Sequence, residues 1–141
     1  MDEEGFFDEK IHLVAGEKLT LNQLEINKML KSFGDPRFQF VLACAAMSCP
    51  QLANFAYTPD NIEMKLNERT KLALNDNRFI RINANDHKIR ISKIFEWYSE
   101  DFKSTGKDLL AYINDYRVNK IPPSYSIEYY QYDWRLNERK G

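Results

Sequence analysis

Long apolar runs are missing from this 141-residue chain, and no window approaches the roughly 18 apolar residues that read as a membrane span. No membrane partner is therefore expected. A secretory signature is lacking as well, because Met1-Asp2-Glu3-Glu4 is acidic where a signal peptide is basic and then apolar. A soluble, cytoplasmic protein is the expectation. Charge of one sign is in short supply: 20 Lys and Arg against 21 Asp and Glu leave a formal net charge of -1, so no global field draws the chain onto phosphate backbones. Nucleic acid is not expected as a partner. Cysteine and histidine are scarce, with two of each. Two cysteines five positions apart make no disulfide framework, and two Cys with two His have the ligand count of a zinc site but not its grouping. No metal or cofactor is expected. Repeats, low-complexity tracts and interdomain linkers are also absent, which predicts a single domain over 1–141; a chain of this length buries roughly two thirds of its unfolded surface around one core.

What the chain does have is an apolar run, Phe38-Gln39-Phe40-Val41-Leu42-Ala43, that leads into Cys44-Ala45-Ala46-Met47-Ser48-Cys49-Pro50. Six residues with one polar side chain suit a strand covered on both faces, and Pro50 forbids simple continuation of a ladder. A central strand over 38–43 that delivers Cys44 to its exposed end is predicted. Such a thiol is either a nucleophile or a small buried hydrophobe.

Around that strand the pattern is α+β. Ile11 and Leu13 alternate as the inner face of a strand near 10–14, with His12 on the opposite face. Thr20 and Gln23 form a capping-box pair that opens a helix over about 21–32, and Gly34-Asp35-Pro36 stops it. Thr58-Pro59 reads as the next helix start, with Ile62, Leu66, Thr70 and Ala73 on one face as far as Asn75. Arg78–Asn83 and Lys88–Ser92 alternate as a hairpin closed by Ala84-Asn85-Asp86-His87. Helices follow over 94–102, where Ile94, Phe95, Tyr98 and Phe102 share a face, and over about 107–118. Ser126–Trp134 reads as a last, tyrosine-rich strand. The sum is a mixed or mostly antiparallel sheet of about five strands with about four packed helices.

Gly5-Phe6-Phe7-Asp8, Gly34-Asp35-Pro36-Arg37, Cys44-Ala45 with Ser48-Cys49-Pro50, Ala56-Tyr57-Thr58, Ser92-Lys93-Ile94-Phe95 with Trp97-Tyr98 and Asp101-Phe102, and Tyr132-Asp133-Trp134 with Leu136-Asn137 occur in this order. Through them the chain, from Gly5 to Asn137, resembles the Domain of Unknown Function 547 family of bacteria, plants and other eukaryotes. The resemblance implies little about activity. It implies a helical segment with a Trp-Ile-Asn-x-Tyr-Asn-like signature ahead of Gly5, which nothing here supplies, so an N-terminally shortened member is expected. It also implies a histidine in the strand before the first cysteine, where this chain has Gln39.

The candidate sites follow. Cys44 or Cys49 is a candidate nucleophile if a histidine serves as its base, and His87 in the hairpin turn is the candidate partner; a Cys44–Cys49 disulfide is the alternative in an oxidising compartment. Asp133, Trp134 and Asn137 are candidates to line a ligand pocket, against a role in locking the terminus. Arg78, Arg81, Lys88 and Arg90 make a basic hairpin face that suits either an anion or solvent. The leading expectation is a non-catalytic binding or protein-interaction module for an unknown protein or small molecule, and the alternative is a thiol-dependent hydrolase or transferase. A homodimer is expected, with the aromatic C-terminal strand as its candidate interface.

Overall fold

The computed structural model describes residues 5–137. The fold is α+β, and the chain divides into two compact units after Pro36. In the first unit, β1 (His12–Val14) pairs antiparallel with β2 (Glu17–Leu19). Ala15 and Gly16 between them both take positive φ, 49° and 85°, the backbone of a two-residue hairpin turn whose twist matches its strands. That turn sets the register, and it reverses the expected phase: His12 and Val14 are half-buried while Ile11 and Leu13 face solvent. β2 was not anticipated, because Glu17-Lys18-Leu19 has no alternation of its own. The Thr20 capping box forms as expected, with Thr20 Oγ1 accepting from Gln23 N and Gln23 Oε1 accepting from Thr20 N. It opens a continuous helical run of α1 (Leu21–Gln23), a π-helical stretch Leu24–Leu30 and α2 (Lys31–Phe33). Gly34, at φ 60°, ends the run where a left-handed cap is needed.

The second unit begins with a correction. Phe38–Ala43 is not a strand: Pro36–Phe40 forms a 3-10 turn, and Val41 N and Leu42 N both donate to Phe38 O at 3.1 Å. A short apolar run beside a proline fits a buried helical turn as well as a buried strand, and periodicity does not separate them. The turn still goes to the core, where Phe40 is 1% exposed and its ring meets those of Phe79, Phe95 and Phe102 at centroid distances of 6.1, 5.8 and 6.0 Å. The sheet is built elsewhere, from β3 (Ile80–Asn83), β4 (Lys88–Ile91) and β5 (Ser126–Tyr129) in that order. β3 and β4 are the expected hairpin, antiparallel with Ile80 opposite Ile91; β5 lies parallel to β4 with Ile127 beside Ile89. Five strands among the described residues thus form two sheets, one of two strands and one of three.

Helices α3 (Ile62–Leu74) and α6 (Leu109–Tyr116) pack together beside this sheet. The expected inner face of α3 holds, with Leu66, Thr70 and Ala73 buried. Its start falls later than Thr58-Pro59, because residues 58–61 form a separate turn in which Asn61 N and Ile62 N both donate to Thr58 O. Asp108 caps α6 by accepting from Ala111 N at 2.9 Å. The helix expected over 94–102 is broken at Tyr98 (φ -108°, ψ 31°) into α4 (Ile94–Trp97) and α5 (Ser99–Lys103). β5 stops at Tyr129, short of the expected Trp134, and residues 130–137 continue as an extended strap. No helix among the described residues is long and apolar enough to cross a membrane.

Phe40 is the joint between the cysteine segment and the sheet. Phe40→Ala should cost about 3–5 kcal/mol, the range for a large aromatic removed from a packed core, read as a lowered urea midpoint with an unchanged slope.

Candidate functional site

Cys44 and Cys49 are free thiols at the two ends of a tight loop, with their Sγ atoms 2.8 Å apart. A covalent S–S bond is about 2.05 Å, so the pair is in contact without being joined. Cys44 N donates to Cys49 Sγ at 2.7 Å, and the Cys49 thiol faces Leu42 O at 3.8 Å. Between them Ala45 has φ 63°, a left-handed conformation that costs a non-glycine residue about 1–2 kcal/mol. Something must hold the loop in that shape, and it is the strap. Asn137 N donates to Ala45 O at 2.7 Å, Met47 N to Arg135 O at 2.8 Å and Ser48 N to Asp133 O at 3.2 Å, while Ser48 Oγ accepts from Asp133 N at 2.9 Å. Ala46 and Leu136 face each other as an antiparallel bridge.

The electrostatics distinguish the two thiols. Donation from the Cys49 thiol is the largest influence on Cys44 and, with the Ala46 N–H and the Tyr132 hydroxyl, outweighs burial and lowers its pKa to about 6. Cys49, which is 5% exposed, is pushed far up by the shared proton and by burial. The first proton of the pair thus leaves readily, the charge settles on the less buried sulfur, and the second proton is retained. Tyr132 Oη lies 3.7 Å from Cys44 Sγ. Burial raises the Tyr132 pKa, and the neighbouring thiols raise it further, so its hydroxyl stays protonated and donates.

A group of three rings adjoins the thiols. Tyr132 lies 4.9 Å from Trp97 and 4.7 Å from Trp134, and the two indoles stack at 5.6 Å with 26° between their planes. Trp97 and Trp134 keep 47% and 50% of their surface exposed. Asp133 beside them is neutralised: both of its carboxylate oxygens accept from Arg135, whose guanidinium holds the Asp133 pKa down to about 2.

Five of the residues singled out from sequence, Cys44, Cys49, Asp133, Trp134 and Asn137, therefore meet in one place. His87 does not join them. It sits in the β3–β4 turn at φ 51° with its ring edge-on to Tyr125, ahead of β5, whereas the thiols lie by Tyr132, beyond the end of that strand. His12 belongs to the first unit. Sequence reasoning missed Tyr132 and Trp97 as members of the site and Ser48 as a tie; only the clustering of aromatics in the last strand hinted at the first. Gln39 is buried and donates to the Asp101 carboxylate at 2.8 Å, and its amide, unlike a histidine, has no acid–base capacity of its own. Among the described residues no three His, Cys, Asp or Glu side chains form a group able to hold a metal ion.

A family model described as "Protein of unknown function, DUF547" matches residues 1–72, a stretch that takes in the whole cysteine loop. No curated protein and no solved structure matches the chain.

The shift on Cys44 has a defined consequence for alkylation. A pKa of about 6 makes the thiol roughly 90% ionised at pH 7, against about 3% for a free thiol near 8.5. The intrinsic nucleophilicity lost over those units offsets about tenfold of that gain, so the midpoint, not the absolute rate, is diagnostic. Iodoacetamide labelling of Cys44 against pH should turn on near pH 6 and shift upward in Cys49→Ala, while Cys49 stays unlabelled in the native protein; a Cys44 midpoint near 8.5 in the native protein would refute this assignment.

Proposed function

We propose that this chain, which belongs to the DUF547 family of proteins of unknown function, works through its Cys44–Cys49 dithiol by exchange with disulfide substrates. The observation that carries this reading is the contact of the two Sγ atoms at 2.8 Å in a loop tied to the strap. Exchange needs an attacking thiolate, a second thiol within bonding reach and no other catalyst. Cys44 thiolate attacks one sulfur of the substrate disulfide; that S–S bond breaks and a substrate thiolate leaves. Cys49 then attacks Cys44 Sγ, the mixed disulfide breaks, and the Cys49 proton is available to the second substrate thiolate as it departs. Two electrons pass to the substrate, and the chain is left with a Cys44–Cys49 disulfide.

A thiol-dependent hydrolase or acyl transferase is less well supported, because the side chains that hydrogen-bond Cys44 are a thiol and a tyrosine that keeps its proton. Neither is a general base. The non-catalytic binding reading has one observation in its favour, the half-exposed Trp97–Tyr132–Trp134 group. Flat, partly exposed rings are suited to hold an apolar or planar ligand. Both readings are compatible with self-association through β5, which is the outer strand of its sheet and shows Tyr129 to solvent.

Oxidised glutathione serves as the probe for exchange. Wild type should pass through one mixed disulfide to the internal Cys44–Cys49 disulfide with release of two thiols, Cys49→Ser should stop at a mixed disulfide on Cys44, and Cys44→Ser should lose at least about tenfold in rate. If wild type itself halts at the mixed disulfide, the dithiol mechanism is wrong and the binding reading takes its place. For the dimer, sedimentation at micromolar concentration should give twice the chain mass, and a monomer across that range removes the β5 interface.

A further inference from the structure

Large apolar side chains stay exposed around the thiol loop: Trp97, Trp134, Met47 and Leu136. The loop and its strap set their places. Met47 lies between the two cysteines in the chain, with its N–H on Arg135 O, and Leu136 bridges Ala46. The two indoles stand one ring away from the less buried sulfur, because both contact Tyr132, whose hydroxyl is 3.7 Å from Cys44 Sγ. Tyr132 is buried and the indoles stack on each other, so their open faces are held in place before anything binds. The charges nearby are already matched. Asp133 and Arg135, the two charged residues between Tyr132 and Asn137, are paired with each other, and Glu96 next to Trp97 is paired with Lys93.

We infer that Trp97 and Trp134 select the substrate of the exchange reaction, and that this substrate is a polypeptide cystine flanked by aromatic or large apolar residues. The inference rests on the dithiol reading and adds to it the class of disulfide attacked. Charge argues for an uncharged partner: the strap between Tyr132 and Asn137 has no unpaired cation to hold a carboxylate, and a thiolate at Cys44 repels one. Position argues for a chain. A polypeptide leaves its attacked sulfur in two directions, so one arm covers the indoles while the other crosses Met47 and Leu136, a span that a small disulfide does not bridge. A flat side chain beside the cystine meets the indoles in the offset or edge-on arrangement that aromatic pairs prefer. Single exposed apolar residues are ordinary on a protein surface; here they are grouped about a thiol that ionises first, and two of them are fixed by ring stacking.

The test uses two synthetic peptides with the same internal disulfide, one with Trp beside each cysteine and one with Ser, each reacted with the full chain in a single turnover. Every rate is divided by that peptide's rate with N-acetylcysteine, which removes differences in intrinsic reactivity. The normalised rate of Cys44 mixed-disulfide formation should be about tenfold higher for the Trp peptide. Trp97→Ala and Trp134→Ala should each lower that ratio below about threefold, and Trp134→Phe should keep most of it; a ratio within one variant cancels any general loss of reactivity. Binding is read separately in 15N-labelled Cys44→Ser, which lacks the attacking thiol. Its Trp97 and Trp134 indole N–H resonances should shift saturably with the Trp peptide and not with the Ser peptide. Equal normalised rates, or a preference that survives both Ala variants, overturn the proposal and leave exchange itself standing. Saturable shifts in Cys44→Ser without exchange by wild type overturn the dithiol reading instead and keep the rings as a peptide site. A dipyridyl disulfide that shows the same dependence on Trp134, with Met47→Ser and Leu136→Ser both silent toward the Trp peptide, assigns the rings to a small molecule and overturns the polypeptide substrate. Indole shifts that arise on concentrating the protein alone assign the face to a second copy and overturn it equally.

Discussion

The candidate site depends on a set of backbone hydrogen bonds between residues 45–48 and residues 133–137. Without them Ala45 would have no reason to stay left-handed, and the loop that brings Cys44 against Cys49 would relax. Each such bond contributes only about 1 kcal/mol net. Acting together they exceed the conformational cost at Ala45, and they also deliver Tyr132 to the thiol and Trp134 to the Trp97 ring. Thiols and rings are thus consequences of one pairing between distant stretches of chain.

A second constraint lies beneath the first. Phe40 meets rings from the residue before β3, from α4 and from α5, and so ties the segment entering the cysteine loop to the elements that carry the sheet and Trp97. Cys49 and Ala46 belong to the same buried cluster. The thiol that stays protonated is therefore a core residue, while the thiol that ionises stands at its edge. The shared hydrogen bond lowers the pKa of Cys44 and raises that of Cys49 while burial raises both, which is how two chemically identical groups acquire different proton affinities.

Much of the secondary structure was legible because its determinants are local. The Thr20–Gln23 capping box, the Gly34 stop and the Ile80–Ile91 hairpin each rest on residues within a few positions of one another, and each formed. The failures share a different cause. Phe38–Ala43 is apolar enough for a strand or a buried turn, and only its neighbours in space choose between them. Ile11 and Leu13 alternate correctly but face outward, because the Ala15-Gly16 turn sets the register and local pattern does not. α3 starts after Thr58-Pro59 because a separate turn uses those residues first.

The α+β class, the approximate positions of most helices, the β3–β4 hairpin, the family resemblance and a short list of candidate site residues were all legible in the sequence, since hydrophobic period, capping and turn formation are encoded within a few residues. Tertiary structure alone decided which of those residues meet. It joined Cys44 and Cys49 to Tyr132 and the strap, left His87 beside Tyr125, and stacked Trp97 on Trp134. Proton affinity and reactivity depend on neighbours a few ångströms away, and those neighbours here come from positions as many as 88 residues apart, a separation across which local pattern carries no information.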